Sequence, residues 1–241
     1  MAVYTDDFNR GDSADLGSPW VERETNAAAI QVNNNRLVTV GTAWGAVFYD
    51  NAFTADHYSK IVWKARTNNP VTGPAVRVSG AASTALTFYA AVYNRFDGRV
   101  ELRKYVAENV TGAGTTLGTF TVTLVDTDVV YIEAVGTTIR VLINDVERIS
   151  VTDSDIASGQ GGFVNVDNGF GGTNDWDDWE AGDIVPPRRG LVSWVELEVP
   201  DFVRRGLVSY IEFEVPSVSG GGGGFFWFWH YRQMRRRRKR Q

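Results

Sequence analysis

The chain contains no cysteine, so no disulfide can staple it and its stability must come from a buried core. Histidine occurs twice, at His57 and His230, far apart in sequence. No G-x-S-x-G elbow, H-E-x-x-H pair or P-loop is present, which leaves the common hydrolase and nucleotide signatures without a carrier. No run approaches the roughly 20 apolar residues that a transmembrane helix needs. The opening MAVYTDDFNR lacks a basic start and an apolar core, so it is not expected to act as a secretion signal. Proline is sparse (7), and convincing helical periodicity is absent.

What is present is the vocabulary of strands and turns. Glycine is abundant (25), and valine, threonine and aromatic residues recur in short runs. "AAIQVNNNRLVTV" reads as two strands broken by Asn33, Asn34 and Asn35, a hairpin signal. "HYSKIVWKART", "PAVRVSG", "TALTFYAAVYN", "RVELRKYVA", "GTFTVTLV", "VVYIEAVG", "TIRVLIND" and "GGFVNV" continue the pattern, which predicts an all-β sandwich or jelly roll. At 241 residues there is room for one such domain and appendages.

Alternation assigns faces to the predicted strands. Over 86–93, Leu86, Phe88, Ala90 and Val92 share one side, and Thr87, Tyr89, Ala91 and Tyr93 the other. Over 99–106, Val100, Leu102 and Val106 oppose Arg99, Glu101, Arg103 and Tyr105. Val76 and Val78 oppose Arg77. If these strands are neighbours, Arg77, Tyr89, Tyr93, Glu101, Arg103 and Tyr105 would form one solvent-facing platform. Aromatic faces stack on sugars, and arginine and glutamate grip hydroxyls, so this is the candidate ligand-binding set. The competing explanation is that tyrosine and arginine merely suit an exposed sheet face.

The two ends of the region carry a family resemblance. D-x-F-x-R at 6–10, followed by Leu16-Gly17 and Trp20, resembles the opening of the concanavalin A-like lectin/glucanase superfamily in its laminin G-like branch. So does "VGTTIRVLINDVERISVTDSDIASGQGGFVN", and so does the closing Asp177-Asp178-Trp179. The resemblance covers residues 1–184. It implies an antiparallel two-sheet, concanavalin-like jelly roll whose first and last strands pair. Relatives of this branch bind calcium at loop rims, and Asp153, Asp155, Asp167, Asp175, Asp177 and Asp178 are acids here that could serve as oxygen ligands, with Asp167, Asp175 and Asp177 foremost; otherwise no cofactor is expected. Glucanases of the superfamily need an E-x-D-x-x-E strand, which residues 1–184 lack. A glycan-active enzyme is therefore the alternative, and non-catalytic binding the expectation.

Beyond 184 the sequence changes character. RRGLVSWVELEVP returns sixteen positions later as RRGLVSYIEFEVP within residues 185–219. Two strands are too few to fold alone, so they must dock on something, with Trp194 and Tyr210 as contacts. Tandem strands of this type resemble those of tailed-bacteriophage virion proteins. Gly220–Gly224 form a linker with a mean reach of about 12 Å. The last segment, 225–241, joins Phe225, Phe226, Trp227, Phe228 and Trp229 to a run of bases that includes Arg235 and Arg236.

The final ten residues hold seven of the 24 bases and no acid, leaving 17 bases against 29 acids and a charge of −12 on the rest. Such a tail could neutralise nucleic-acid phosphates. A cluster of five aromatics fits docking on a partner protein better. The composite expectation is a non-enzymatic virion component, decorating a capsid or associated with a fibre or tail. It would be assembled in the host cytoplasm, would self-associate, and would present a lectin-like domain to a surface glycan.

Overall fold

The structure is a computed structural model that describes residues 2–25, 29–40, 43–64, 71–166 and 173–184. Asp167 and the expected docking residues Trp194, Tyr210, Phe225, Phe226, Trp227, Phe228, Trp229, Arg235 and Arg236 lie outside the described residues. The described chain is all strand and loop, in two antiparallel sheets.

In chain order the strands are β1 (Val3–Asp6), β2 (Trp20–Glu24), β3 (Ile30–Val32), β4 (Leu37–Val40) and β5 (Gly45–Tyr49). They continue with β6 (His57–Lys64), β7 (Val71–Ser79), β8 (Leu86–Asn94), β9 (Arg99–Glu108) and β10 (Thr115–Thr121). The last are β11 (Val129–Val135), β12 (Thr138–Ile143), β13 (Val146–Thr152), β14 (Gln160–Val166) and β15 (Thr173–Asp183).

One sheet has the order β13-β12-β11-β6-β15-β4-β3, with β1 also paired to β15. The other runs β10-β9-β8-β7-β14-β5-β2. These two antiparallel sheets form the all-β jelly-roll sandwich that the strand pattern predicts, with first and last strands paired as the family resemblance implies. The asparagine break works as expected: β3 and β4 pair in register Ile30↔Thr39 to Val32↔Leu37, with Asn34 and Asn35 at φ 53° and 56° between them. Asparagine tolerates that left-handed region better than most residues.

The core lies between the sheets. Trp63 and Trp176 meet edge to face at 4.9 Å, Phe163 packs on Trp176, and Ile61, Ile132, Val141 and Leu102 fill the space around them. Two of the buried tryptophans are satisfied internally at their polar ends, whereas Nε1 of Trp63 has no acceptor among the described residues. Nε1 of Trp176 donates to Thr72 Oγ1 at 2.9 Å, and Nε1 of Trp179 to Ser59 Oγ at 3.0 Å. An indole N–H buried without such an acceptor would cost about 1–3 kcal/mol.

The seven-stranded sheet is apolar on both faces. Tyr89, Ala91, Tyr93, Val100 and Leu102 face the other sheet, while Phe88, Ala90, Val92, Ala75 and Val164 form a second buried cluster on the opposite side. The face assignment for β8 is thus reversed from the sequence reading. With alanine, valine and aromatics on both sides of the strand, alternation distinguished two faces but not which one is the core.

Candidate functional site

The single exposed platform expected from β7, β8 and β9 is not formed; its six residues divide among three environments, all buried. Tyr89 and Tyr93 point into the core, where each hydroxyl reaches a polar rim. Tyr89 donates to Asp153 Oδ1 at 2.5 Å, and burial followed by that hydrogen bond pushes its phenol up to about 12. Tyr93 Oη accepts from the Leu124 backbone N–H at 3.2 Å.

Arg77 sits in a left-handed bend (φ 55°). It donates to the carbonyls of Ala55 at 3.1 Å, Ile156 at 2.6 Å and Gly136 at 2.7 Å. Its guanidinium ties three loops together and is spent on that task.

Glu101, Arg103 and Tyr105 lie on the outer side of β9. Glu101 accepts from Arg99 Nε at 2.6 Å, Arg103 Nε at 2.7 Å and Asn94 Nδ2 at 3.2 Å. Burial opposes its ionisation, but the hydrogen bonds from Arg103 and Arg99 outweigh that and hold the carboxyl below its ordinary range. Tyr105 stacks on Phe88 at 4.5 Å and donates to the Gly112 carbonyl at 2.9 Å. Glu101 is 1% exposed and Arg103 8%, so neither stands free for a sugar to stack over. The tyrosines are buried because their rings supply core area while their hydroxyls bond at the margin, which a polar-versus-apolar pattern cannot show.

Of the acids offered foremost for calcium, Asp167 lies outside the described residues, and Asp175 and Asp177 are poorly placed for it. Asp175 is fully buried with Arg36 Nη1 3.4 Å away, and Asp177 has Lys64 Nζ at 3.8 Å. Burial, then the neighbouring Asp178, raises the Asp177 carboxyl. A calcium ligand should be ionised and oxygen-surrounded, whereas these two acids already face cations. Among the described residues no three acids or histidines converge as a metal site.

An open cleft of about 460 Å³ forms instead where the first and last strands meet, lined by Thr5, Asp6, Asp7, Asp178, Trp179 and Glu180. Its origin is a matter of register. On one side β15 pairs continuously with β6, apart from a bulge between Asp177 and Glu180. On the other side it is shared: β4 pairs residues 173–176, and β1 pairs 179–182. The step Asp177–Asp178 falls between those two partners, and Asp178 takes φ 49° there. The strand is thereby broken into a notch floored by Trp179.

The walls of the notch are rigid. Asp6 accepts from the Phe8 N–H at 2.8 Å, from Arg10 Nη1 at 2.6 Å and Nη2 at 3.1 Å, and from Trp20 Nε1 at 2.7 Å. Glu180 accepts from Tyr58 Oη at 2.6 Å and lies 3.0 Å from Lys60 Nζ. Burial works against the Glu180 carboxylate, but Tyr58 and Lys60 together hold it below its usual range. Asp7 is lowered as well, chiefly by the N–H of Asn9, which it accepts at 3.0 Å. The carboxylate of Asp178 accepts no hydrogen bond from any described residue. The cleft therefore presents strong acceptors on a fixed frame, suited to hydroxyl donors.

Of the six lining residues the sequence points only to Asp178, as a possible calcium ligand, and to none as a sugar contact. A signal existed. TDDFNR and DWDDWE are the acidic ends of the domain, and the resemblance already implied that first and last strands pair.

No family model matches the chain, and no curated protein matches it. Solved structures do match. A protein of unknown function with a galectin-like fold from Bacillus subtilis superposes with a TM-score of 0.55 at 9% identity, covering 75% of this chain and 94% of its own. Bacillus licheniformis β-glucanase gives 0.51 at 10% identity, covering 77% and 99%. The Emp46p carbohydrate recognition domain, in its metal-free form, gives 0.51 at 7% identity, covering 76% and 97%.

The fold is the galectin-like, glucanase-type jelly roll. At these identities the likeness is one of fold. The jelly roll hosts both sugar-binding domains and glycan hydrolases, so what this one does rests on its own residues.

Proposed function

We propose that the protein is a non-enzymatic, lectin-like glycan-binding protein whose jelly roll engages sugar hydroxyls in the β1–β15 cleft. The observation that carries this reading is the cleft itself: a pre-formed concavity of ligand size, with Asp178 uncommitted beside Asp7 and the hydrogen-bonded Asp6 and Glu180. Carboxylates are the strongest acceptors a protein can offer to sugar hydroxyls. Glycoside hydrolysis needs one carboxyl held protonated as the general acid. Glu180 and Asp7 are instead held ionised, which supports binding over turnover.

The finer reading places this domain on a tailed-phage virion, as a capsid decoration or a fibre- or tail-associated protein. Its support is in the sequence: the duplicated RRGLVSWVELEVP and RRGLVSYIEFEVP phrases and the aromatic, basic end. Docking segments of that kind behind a sugar-binding head would place many weak sites on one particle, where multivalency multiplies affinity. Peptides of this protein in gradient-purified virions are the expected finding. Recovery only among unassembled lysate proteins would contradict the virion assignment while leaving the lectin reading intact.

The binding reading is tested by screening the full chain on an array of neutral and acidic glycans, alongside a reducing-sugar assay on the hits. Binding without turnover is expected. Release of reducing ends would favour the glucanase-like alternative.

A further inference from the structure

The edges of the two sheets differ in how they are guarded. An unpaired strand edge offers a row of backbone donors and acceptors, and natural proteins blunt it with charge, proline or brevity. Among the described residues, β2 carries Glu22, Arg23 and Glu24. The outer half of β13 is exposed and carries Glu147 and Arg148. The three-residue β3 is closed by Ser13, whose N–H donates to the Val32 carbonyl at 2.9 Å and whose carbonyl accepts from the Val32 N–H at 2.9 Å. The four-residue β1 ends in Asp6. Among the described edge strands only β10 has none of these protections: TTLGTFT is seven residues long, without a charge or a proline, and its Thr115, Thr116, Thr119 and Thr121 are exposed.

We propose that β10 is a self-association edge, through which two copies pair β10 against β10 and continue their seven-stranded sheets into one. In a twofold antiparallel pairing residue i opposes residue j of the copy and j opposes i, so a strand without charges can pair with its own copy in any register without setting like charges opposite. β10 is such a strand: centred on Gly118, the pairing sets Thr115 opposite Thr121, a favourable cross-strand pair, and Thr116 opposite Phe120.

The strand is held ready for this by its inner contacts. Its residues Gly118–Thr121 run in regular register with Leu102–Arg99 of β9, beyond a bulge at Leu117. Gly118 lies so close to β13 that a Cβ would stand 2.6 Å from Ile149 Cγ2. The Phe120 ring lies 4.8 Å from the Arg148 guanidinium. These contacts fix β10 against the neighbouring sheet. Alternate residues of an antiparallel edge direct N–H and C=O away from the paired neighbour, so the side of β10 away from β9 has a ladder to offer.

A one-strand interface is small, so the dimer should be weak, with dissociation in the micromolar range. It would join two heads, and so two clefts if they bind sugar, without depending on the segments beyond residue 184.

The test is sedimentation velocity of the full chain from about 1 to 300 µM, a range that brackets weak interfaces. Wild type is compared with Thr119→Lys and with Val125→Lys, a charge placed on the adjacent exposed loop. Wild type and Val125→Lys should shift toward dimer with rising concentration, and Thr119→Lys should weaken dimerisation at least tenfold. Hydrogen exchange on wild type gives a second reading: amides of Thr115–Thr121 should slow as concentration rises. A wild type that stays monomeric, a Thr119→Lys protein that assembles as wild type does, or β10 amides indifferent to concentration would overturn the proposal.

Discussion

The backbone N–H of Arg77 donates to Nε2 of His57 at 3.0 Å. An N–H can only donate, so Nε2 must be the unprotonated nitrogen, and Nδ1 carries the hydrogen that bonds the Thr54 carbonyl at 2.7 Å. His57 is fully buried and neutral, and it fixes the bend from which Arg77 reaches three loops.

That arrangement makes stability fall on acidification. Burial lowers the His57 pKa below its ordinary 6.5, and the nearby Arg77 charge lowers it further, against the opposing hydrogen bond to Thr54. The unfolded chain therefore takes up a proton near pH 6.5 that the folded chain refuses. The contribution is whole above that pH and is lost as pH falls toward the depressed value, with a slope of up to about 1.4 kcal/mol per pH unit. Melting temperature followed from pH 7.5 to 5 should fall in wild type, and His57→Gln should start lower and fall less steeply. Parallel curves would contradict this role.

Gly159 should not tolerate alanine. It has φ +151°, and a Cβ there would overlap the backbone carbonyl of Arg77, which cannot move aside as a flexible side chain could. The Gly159→Ala protein should lose more than about 2 kcal/mol in urea unfolding. Gly11, with nothing near its missing Cβ and no unusual φ, should accept alanine with little change.

Removing Glu101 should destabilise the fold. Its side chain is 1% exposed and lies between Arg99 and Arg103, and Nη1 of Arg103 already has no acceptor among the described residues. Glu101→Ala would strand a buried guanidinium, at a cost of about 3 kcal/mol. The Glu101→Ala/Arg103→Met double variant should recover part of that loss. Equal destabilisation in both would contradict a stranded guanidinium as the source of the loss.

Asp6 and Asp178 line the same cleft but should behave oppositely. Asp6→Ala removes the acceptor of four donors, among them the buried Trp20 indole, and should cost about 2–3 kcal/mol. Asp178→Asn breaks no hydrogen bond to another side chain and should leave the melting temperature within about 2 °C of wild type.

Much of the fold was legible because its signals are local. The asparagine break gave the β3–β4 hairpin, and the TDDF and DDW ends marked strands that do pair, as β1 and β15. The candidate site was less legible for two reasons. Leu86, Phe88, Ala90 and Val92 on one side of β8 and Tyr89, Ala91 and Tyr93 on the other are all apolar enough to bury, so no pattern could identify the outward face. The cleft depends on where β4 stops and β1 begins along β15, a long-range register that no stretch of sequence contains. Arg77 misled for a third reason: its bend turns it to the end of the sandwich, where alternation no longer applies.

Titration calorimetry of the full chain with a glycan found by array binding most directly tests the central claim. Wild type should bind without hydrolysis, and Asp178→Asn, equally stable, should bind at least tenfold more weakly. Undiminished affinity in Asp178→Asn would contradict the cleft as the sugar site, and failure of wild type to bind any glycan would contradict the lectin reading itself.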